Sequence, residues 1–141
     1  MPLYRKSKRS VDAARGLEGV RILYVEDEED LREVTAAMLE MLGCKIRCVP
    51  SADDAVREAV DQYDLLLSDV QMPGSMDGVE LAKWVLDHYP ALPILLVSGY
   101  FSAPERLNDA RVKVLNKPYS FELLQTTLLA QLHGRRAARL N

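Results

Sequence analysis

Asp69 is the residue of this 141-residue chain that is best placed to do chemistry, because it directly follows the apolar run 65–68. Two more charged sites follow apolar runs in the same way, the acidic pair Glu26 and Asp27 and the single cation Lys117. Side chains that follow the strands of a parallel sheet meet at one edge of that sheet. Three carboxylates and one ammonium gathered there would suit a divalent cation and a phosphoryl group.

The chemistry that such a site supports is attack of a carboxylate on phosphorus. An aspartate can be the nucleophile when its own charge and that of the phosphoryl group are neutralised, so Asp69 would form an acyl phosphate. Mg²⁺ prefers oxygen ligands and usually keeps several waters, and Asp27, Asp69 and the backbone carbonyl of Gln71 can supply them. Lys117 can pair with Asp69 and then with the phosphoryl oxygens, and the Ser98 hydroxyl can donate to another of those oxygens.

Short aliphatic runs that alternate with segments of helical period must position these residues. The runs predict five strands at 21–25, 45–49, 64–68, 93–97 and 111–115. Three of the runs are apolar on consecutive residues, which indicates strands covered by helices on both faces. Because crossovers between parallel strands are right-handed, the pattern predicts a single α/β domain with a five-stranded, doubly wound parallel sheet.

The predicted helices have recognisable ends. Gly43 ends the first, Ser51 caps the second, the third must end before Pro90, and the fifth begins near Ser120. The fourth, within 103–109, is short and weakly patterned. The residues expected to face the core in the first, second and fifth helices are Leu31, Val34, Met38, Leu39 and Leu42; Ala55, Val56, Ala59 and Val60; and Leu123, Leu124, Leu128 and Leu132.

Composition indicates a folded, water-soluble protein, with 48% hydrophobic and 28% charged residues and a net charge of −3. No apolar run is long enough to span a bilayer, and the first residues lack the apolar stretch of a secretory signal. We therefore expect a cytoplasmic protein without membrane insertion. The two cysteines, Cys44 and Cys48, have a CxxxC spacing that fits neither a redox motif nor a zinc site, which favours buried free thiols.

Basic residues are concentrated at the two ends of the chain. We predict a basic extension at 1–18, a folded domain at 19–133 and a basic tail at 134–141. Short basic tails are most often solvated, so nucleic acid is not expected as a partner. The alternative function is a nucleic-acid-binding module that acts through these tails, or a docking module that works without phosphorylation.

Five segments taken together, 22–28, 66–73, 76–78, 96–99 and 116–119, resemble the receiver domains of two-component response regulators. The resemblance covers roughly Gly19 to His133 and implies a flavodoxin-like, CheY-like fold. It implies that Glu26 and Asp27 bind Mg²⁺, with Mn²⁺ as a possible substitute. The family's phosphoacceptor, sensing hydroxyl and lysine correspond to Asp69, Ser98 and Lys117.

The same resemblance implies that a histidine kinase or a histidine phosphotransfer protein supplies the phosphoryl group. Beyond self-catalysed phosphotransfer and autodephosphorylation, no turnover of an independent substrate is expected. Few residues follow the receiver-like region, so we expect a single-domain response regulator. Its output would be a downstream protein, still unknown, that docks on the surface formed by the fourth helix, fifth strand and fifth helix.

The chain differs from the receiver pattern in one loop and at one aromatic position, and it also differs from a rival family. Gly74 and Ser75 lengthen the loop after Asp69 by one residue. Val114 replaces the aromatic residue that usually precedes the lysine by three positions, and Tyr100 or Phe101 would have to substitute for it. A phosphatase of the haloacid dehalogenase type needs a second aspartate where this chain has Gln71, which argues against that class.

Overall fold

Five parallel strands form the centre of the protein, seen here in a computed structural model that describes residues 16–99, 107 and 109–140, with side chains to 134. The strand order is β2-β1-β3-β4-β5, and every neighbouring pair is parallel. The fold predicted from the sequence is therefore confirmed, with the last three strands shifted by one residue. The strands are β1 Arg21–Val25, β2 Lys45–Val49, β3 Leu65–Asp69, β4 Ile94–Ser98 and β5 Val112–Asn116.

Helices cover both faces of this sheet. They are α1 Glu29–Met41, α2 Ala52–Ala55, α3 Gly78–His88 and α4 Phe121–Leu140, together with a 3₁₀ helix at Val60–Gln62. The short helix predicted within 103–109 lies almost entirely outside the described residues. Within the described ranges, no helix is both long and apolar enough to cross a membrane.

Alternating residues of the central strands build two separate cores. On one face, Leu23, Leu66 and Leu96 pack with α2 and α3. On the other, Tyr24 and Leu67 pack with α1 and α4. Because β1, β3 and β4 are buried on both sides, their runs are apolar at consecutive positions rather than at every second one.

Helix α1 differs from its prediction in which side chains it buries. Leu39 and Leu42 are buried as expected, and Thr35 is buried with them. Leu31 and Val34 are instead 37% and 54% exposed. The buried face of the helix is thus rotated toward Thr35, which leaves an uncovered apolar strip on its side.

Helix α2 is shorter than predicted, and α4 buries fewer of its apolar residues. The N–H groups of Arg57 and Glu58 bond to carbonyls three residues back, the tighter pattern with which helices often end. Ala59, expected in the core, is exposed and has ψ of 78°, outside the helical region. In α4, Leu123 is 48% exposed whereas the next residue, Leu124, is fully buried, so Leu123 lies on the solvent side of the helix.

The described structure includes residues 16–18 of the predicted basic extension and residues 134–140 of the predicted basic tail. Leu17 is fully buried in the same core as α1 and α4. At the other end, α4 continues without a break through 134–140. The two cysteines are free thiols, with Cys44 buried and Cys48 half-buried. Burial raises the pKa of Cys44 to about 11, which makes that thiol a poor nucleophile.

Candidate functional site

Three carboxylates meet at the carboxyl ends of β1 and β3. Glu26 follows β1 directly, Asp27 comes next, and Asp69 is the last residue of β3. The two strands are neighbours, and one carboxylate oxygen from each residue lies within 4.8 Å of the others. Glu26 and Asp69 are buried, whereas Asp27 is exposed. The convergence predicted from the sequence therefore occurs.

Lys117 connects two of these carboxylates. It follows β5, and its backbone N–H donates to the Ser98 carbonyl at 2.8 Å. From there its Nζ donates to Asp69 Oδ2 at 3.1 Å and to Glu26 Oε1 at 3.3 Å. The cation thus lies between a residue after β1 and a residue at the end of β3, as expected for a site assembled at one edge of the sheet.

The pKa values of Glu26 and Lys117 are shifted at this site. Burial, followed by repulsion from Asp69, raises the pKa of Glu26 to about 7, although Lys117 acts in the opposite direction. Burial alone would lower the pKa of Lys117, but its hydrogen bond to Asp69 and the two negative charges outweigh that effect and raise it. The Lys117 ammonium therefore compensates the three carboxylates incompletely, and a further positive charge beside them would be favourable.

Hydrogen bonds from other residues fix the loops that present the acids. Arg32 Nη1 donates to the Glu26 carbonyl at 2.8 Å and reaches the Asp27 carbonyl at 3.5 Å. The N–H of Gln71 donates to Asp69 Oδ1 at 3.3 Å. Arg32 was missed by the sequence reasoning, although an arginine one turn into the helix that follows an acidic pair is well placed to bind its carbonyls.

Ser98 and Gln71 lie at the same edge of the sheet as the acids. Ser98 ends β4 and is buried, and the preceding residue of that strand, Val97, is the register partner of Asp69. Gln71 follows Asp69 by two residues, which places its backbone beside the carboxylate that its N–H binds. Metal coordination by the Gln71 carbonyl and phosphoryl sensing by Ser98 stay predictions.

The loop after β3 packs very closely against the phosphoacceptor candidate. A Cβ on Gly78 would collide with the Asp69 carbonyl oxygen and would lie 2.8 Å from the Val70 Cα. The two-residue stretch that lengthens this loop folds against α2, where Ser75 Oγ donates to Asp53 Oδ1 at 2.7 Å. Gly74 has φ of 107°, a conformation that other residues rarely adopt.

Three positions before the lysine, where the receiver pattern has an aromatic residue, this chain has Val114. Val114 is half-buried and packs against the core cluster that includes α3. The two aromatic residues proposed as substitutes, Tyr100 and Phe101, lie outside the described residues. Tyr119 is a described aromatic residue near the site, two positions after Lys117. It was not among the candidates from the sequence.

A groove of about 380 Å³ opens beside the acids, between α1 and the segment 117–119. Leu31, Val34 and Met38 contribute apolar surface to it, and Glu26 and Lys117 are among its other lining residues. Neighbouring exposed apolar side chains of this kind often mark a surface that another molecule covers.

The donor atoms of the site fit a hard divalent cation. All three side chains offer carboxylate oxygens, and Asp27 leaves one side of the cluster accessible to solvent. Oxygen-only ligand sets with open positions suit Mg²⁺, which keeps waters in its shell. The deficit of positive charge around Glu26 points in the same direction.

Comparison with known proteins agrees with this site. Residues 22–129 match the family described as response regulator receiver domain. The response regulator protein FleR of Pseudomonas aeruginosa is 34% identical over 122 residues, which cover 81% of this chain and 26% of FleR. The receiver protein CpdR of Brucella abortus is 32% identical over 103 residues, which cover 70% of this chain and 85% of CpdR. This chain thus spans about a quarter of FleR but most of CpdR.

Among solved structures, the response regulator protein TrrA of Thermotoga maritima, in complex with Mg²⁺ and BeF, superposes with a TM-score of 0.74. It is 26% identical, and the alignment covers 80% of this chain and 99% of that one. The chemotaxis response regulator CheY4 of Vibrio cholerae gives a TM-score of 0.70 at 28% identity, covering 81% of this chain and 99% of that one.

Proposed function

The chain belongs to the response regulator receiver domain family, and from that premise we propose that Asp69 accepts a phosphoryl group from a phosphohistidine donor in a two-component phosphorelay. The observation that carries the proposal is the joint position of the Asp69 carboxylate, 3.1 Å from the Lys117 ammonium and within 4.8 Å of oxygens of Glu26 and Asp27. A carboxylate that could act as the nucleophile, a cation and two further carboxylates that could hold a metal ion thus lie close together.

In the proposed transfer, a carboxylate oxygen of Asp69 forms a bond to phosphorus while the bond from phosphorus to the donor's imidazole nitrogen breaks. The electron pair of the broken bond leaves with the imidazole, which takes up a proton. Mg²⁺ held by Glu26, Asp27, Asp69 and the Gln71 carbonyl would neutralise charge on the carboxylates and on the phosphoryl oxygens. Mn²⁺ has the same charge and similar ligand preferences, so it should substitute.

The remaining residues of the site orient the phosphoryl group. Lys117 already contacts Asp69, so its ammonium is within reach of an oxygen on a phosphoryl group attached there. The Ser98 hydroxyl, at the end of the adjacent strand, would donate to another oxygen and so report the modification to β4. A phosphoryl group adds about −1.5 to −2 charges, which is enough to bias a two-state surface.

The groove beside the acids suits the donor protein. A phosphohistidine must come within bonding distance of Asp69, so the donor has to cover the adjoining surface, where Leu31 and Val34 are exposed. We propose that a helix of a histidine kinase or histidine phosphotransfer protein packs on this strip, since an amphipathic helix fits a groove lined by apolar residues at helical spacing. Leu31, Val34 and Met38 have that spacing.

Signalling would then depend on a downstream protein that prefers the phosphorylated form. The output surface proposed from the sequence includes β5 and α4, which the structure describes, and a helix within 103–109 that lies almost wholly outside the described residues. Coupling of about 1–3 kcal/mol between phosphorylation and docking would change the affinity for the partner by roughly 5- to 150-fold. No turnover is proposed beyond self-catalysed phosphotransfer and autodephosphorylation.

Intact-mass spectrometry after incubation with acetyl phosphate tests the phosphoacceptor directly. We expect one phosphoryl adduct on the wild type that requires Mg²⁺ and is absent from Asp69→Asn. Asp61→Asn is a matched control, because it removes an exposed carboxylate on the 3₁₀ helix, which precedes β3 and so lies toward the opposite edge of the sheet. An adduct that persists in Asp69→Asn, or no adduct on the wild type, would contradict the proposal.

Phosphotransfer from a protein tests the docking strip separately. Val34→Glu should slow labelling by any phosphorylated histidine phosphotransfer protein that labels the wild type, because a charge replaces apolar contact. Labelling by acetyl phosphate should not change, since that donor is too small to need the strip. Ala59→Glu, which places the same charge at an exposed position after α2, serves as the control. Equal effects of both variants would refute the strip as the donor site.

A further inference from the structure

Thr35 is a buried polar residue on α1, with a relative exposure of 3%. Its hydroxyl lies 2.8 Å from the hydroxyl of Tyr119, a residue 84 positions further along the chain. The Thr35 hydroxyl needs such a contact, because an unpaired buried hydroxyl is unfavourable. The bond therefore fixes the distance between α1 and the segment that follows β5.

The core beside this contact includes a residue of β1. Tyr24 is buried at 3% exposure on the same face of the sheet as α1. Tyr119 packs against the same core. The contact between Thr35 and Tyr119 thus lies beside the core that carries β1.

The position of this contact relative to the acids suggests its role. Tyr24 precedes Glu26 by two residues, and Tyr119 follows Lys117 by two residues. Glu26 and Lys117 form an ion pair at 3.3 Å. Because Tyr119 is bound to Thr35, the contact holds the segment 117–119 against α1 and so sets the position from which Lys117 reaches Glu26.

The ion pair is sensitive to that separation. Lys117 Nζ donates to Glu26 and Asp69 at once, and both distances are near the outer limit of a good hydrogen bond. The ammonium must stay within reach of two acceptors at once, so the position of the Lys117 backbone limits which placements of the side chain keep both contacts. Displacement of the backbone at 117 would lose one of the two contacts.

We propose that the hydroxyl contact between Thr35 and Tyr119 positions Lys117 against Asp69 and Glu26 for phosphoryl transfer. This inference rests on the proposed function, since it concerns the same site. Neither residue touches the reacting atoms. Both are positioning residues that act through Lys117.

The test measures the limiting rate of Mg²⁺-dependent labelling by acetyl phosphate in four variants. Thr35→Val and Tyr119→Phe each remove one hydroxyl and keep the shape of the side chain, and both should slow the limiting rate by about tenfold, since small misplacements have effects of that order. Thr35→Ser keeps the hydroxyl and should label at nearly the wild-type rate. Val85→Ala shortens a fully buried side chain on α3, in the other core, and controls for loss of stability alone.

Each outcome decides the proposal. Slow labelling in Thr35→Val and Tyr119→Phe, rescue in Thr35→Ser and wild-type labelling in Val85→Ala would support it. Equal slowing in Val85→Ala, no slowing in the two hydroxyl deletions, or no rescue in Thr35→Ser would overturn it. If the wild type itself takes no phosphoryl group, the proposed function fails and this inference fails with it. All rates are compared at a temperature where circular dichroism shows every variant folded.

Discussion

Glu26→Gln should stabilise the metal-free protein at alkaline pH, although it removes a member of the candidate metal site. The Glu26 side chain is 2% exposed and faces Asp69, and burial followed by that repulsion raises its pKa from 4.5 to about 7. Between those two values the folded protein binds a proton that the unfolded chain has lost. Stability must therefore fall as the pH rises through this window.

The magnitude follows from the two pKa values. At pH 8 the buried carboxylate lowers the free energy of unfolding by up to about 3 kcal/mol, and at pH 5 by about 1 kcal/mol. The attraction of Lys117 is already contained in the raised pKa. Glutamine has nearly the same volume and no charge. The difference in the free energy of unfolding between the variant and the wild type should therefore shift by about 2 kcal/mol in favour of the variant from pH 5 to pH 8.

Urea denaturation at pH 5 and pH 8 in the presence of EDTA measures this effect. Glu33→Gln is the control, because it makes the same change in net charge at an exposed position of α1. Saturating Mg²⁺ should reverse the order at pH 8, since the wild type binds the ion more tightly and gains stability from it. The reasoning is refuted if Glu26→Gln is no more stable than wild type at pH 8, or if Glu33→Gln gains as much.

Three further changes have defined outcomes. Gly78→Ala should destabilise the protein by at least about 3 kcal/mol in urea denaturation, because its Cβ meets the backbone of Asp69 and cannot be relieved by a side-chain movement; a smaller loss would show that the loop shifts freely. Asp77→Ala removes the capping box with Glu80 and should lower the free energy of unfolding by about 1 kcal/mol; an unchanged urea midpoint would show that the cap is dispensable. Arg32→Gln should weaken Mg²⁺ binding about tenfold in calorimetric titration because the carbonyls beside the acids lose their donor; tighter binding would mean that removal of its positive charge dominates.

The sequence was sufficient to predict the sheet and the meeting of the acids, because both depend on a simple physical pattern. Consecutive apolar residues in β1, β3 and β4 reflect helices on both faces, and parallel strands bring their carboxyl ends to one edge. Glu26, Asp27, Asp69 and Lys117 could therefore be placed together before any distance was known. The predicted strand ends were wrong by one residue in three of five cases, since apolar runs mark burial and not hydrogen bonding.

The parts that could not be predicted depend on contacts between distant segments. Nothing in the residues near Thr35 indicates a partner 84 positions away, and the extra loop residue at Ser75 gives no sign that it will bind Asp53. Helical periodicity correctly found the apolar residues of α1. Periodicity alone could not show that Val34 faces outward, because the spacing of apolar residues is the same whether they pack on the sheet or form an exposed surface.

The exposed strip and the buried Thr35 hydroxyl lie on the same helix, α1. Thr35 contacts the segment that carries Lys117, while Leu31 and Val34, four residues and one residue before it, remain open to solvent. A donor that packs on these two residues would therefore press on a helix whose position sets the reach of the lysine. In the proposed mechanism, docking of the donor and the geometry around Asp69 are therefore connected through α1. A donor that fits the strip should accordingly raise the rate of phosphoryl transfer beyond what its local concentration explains.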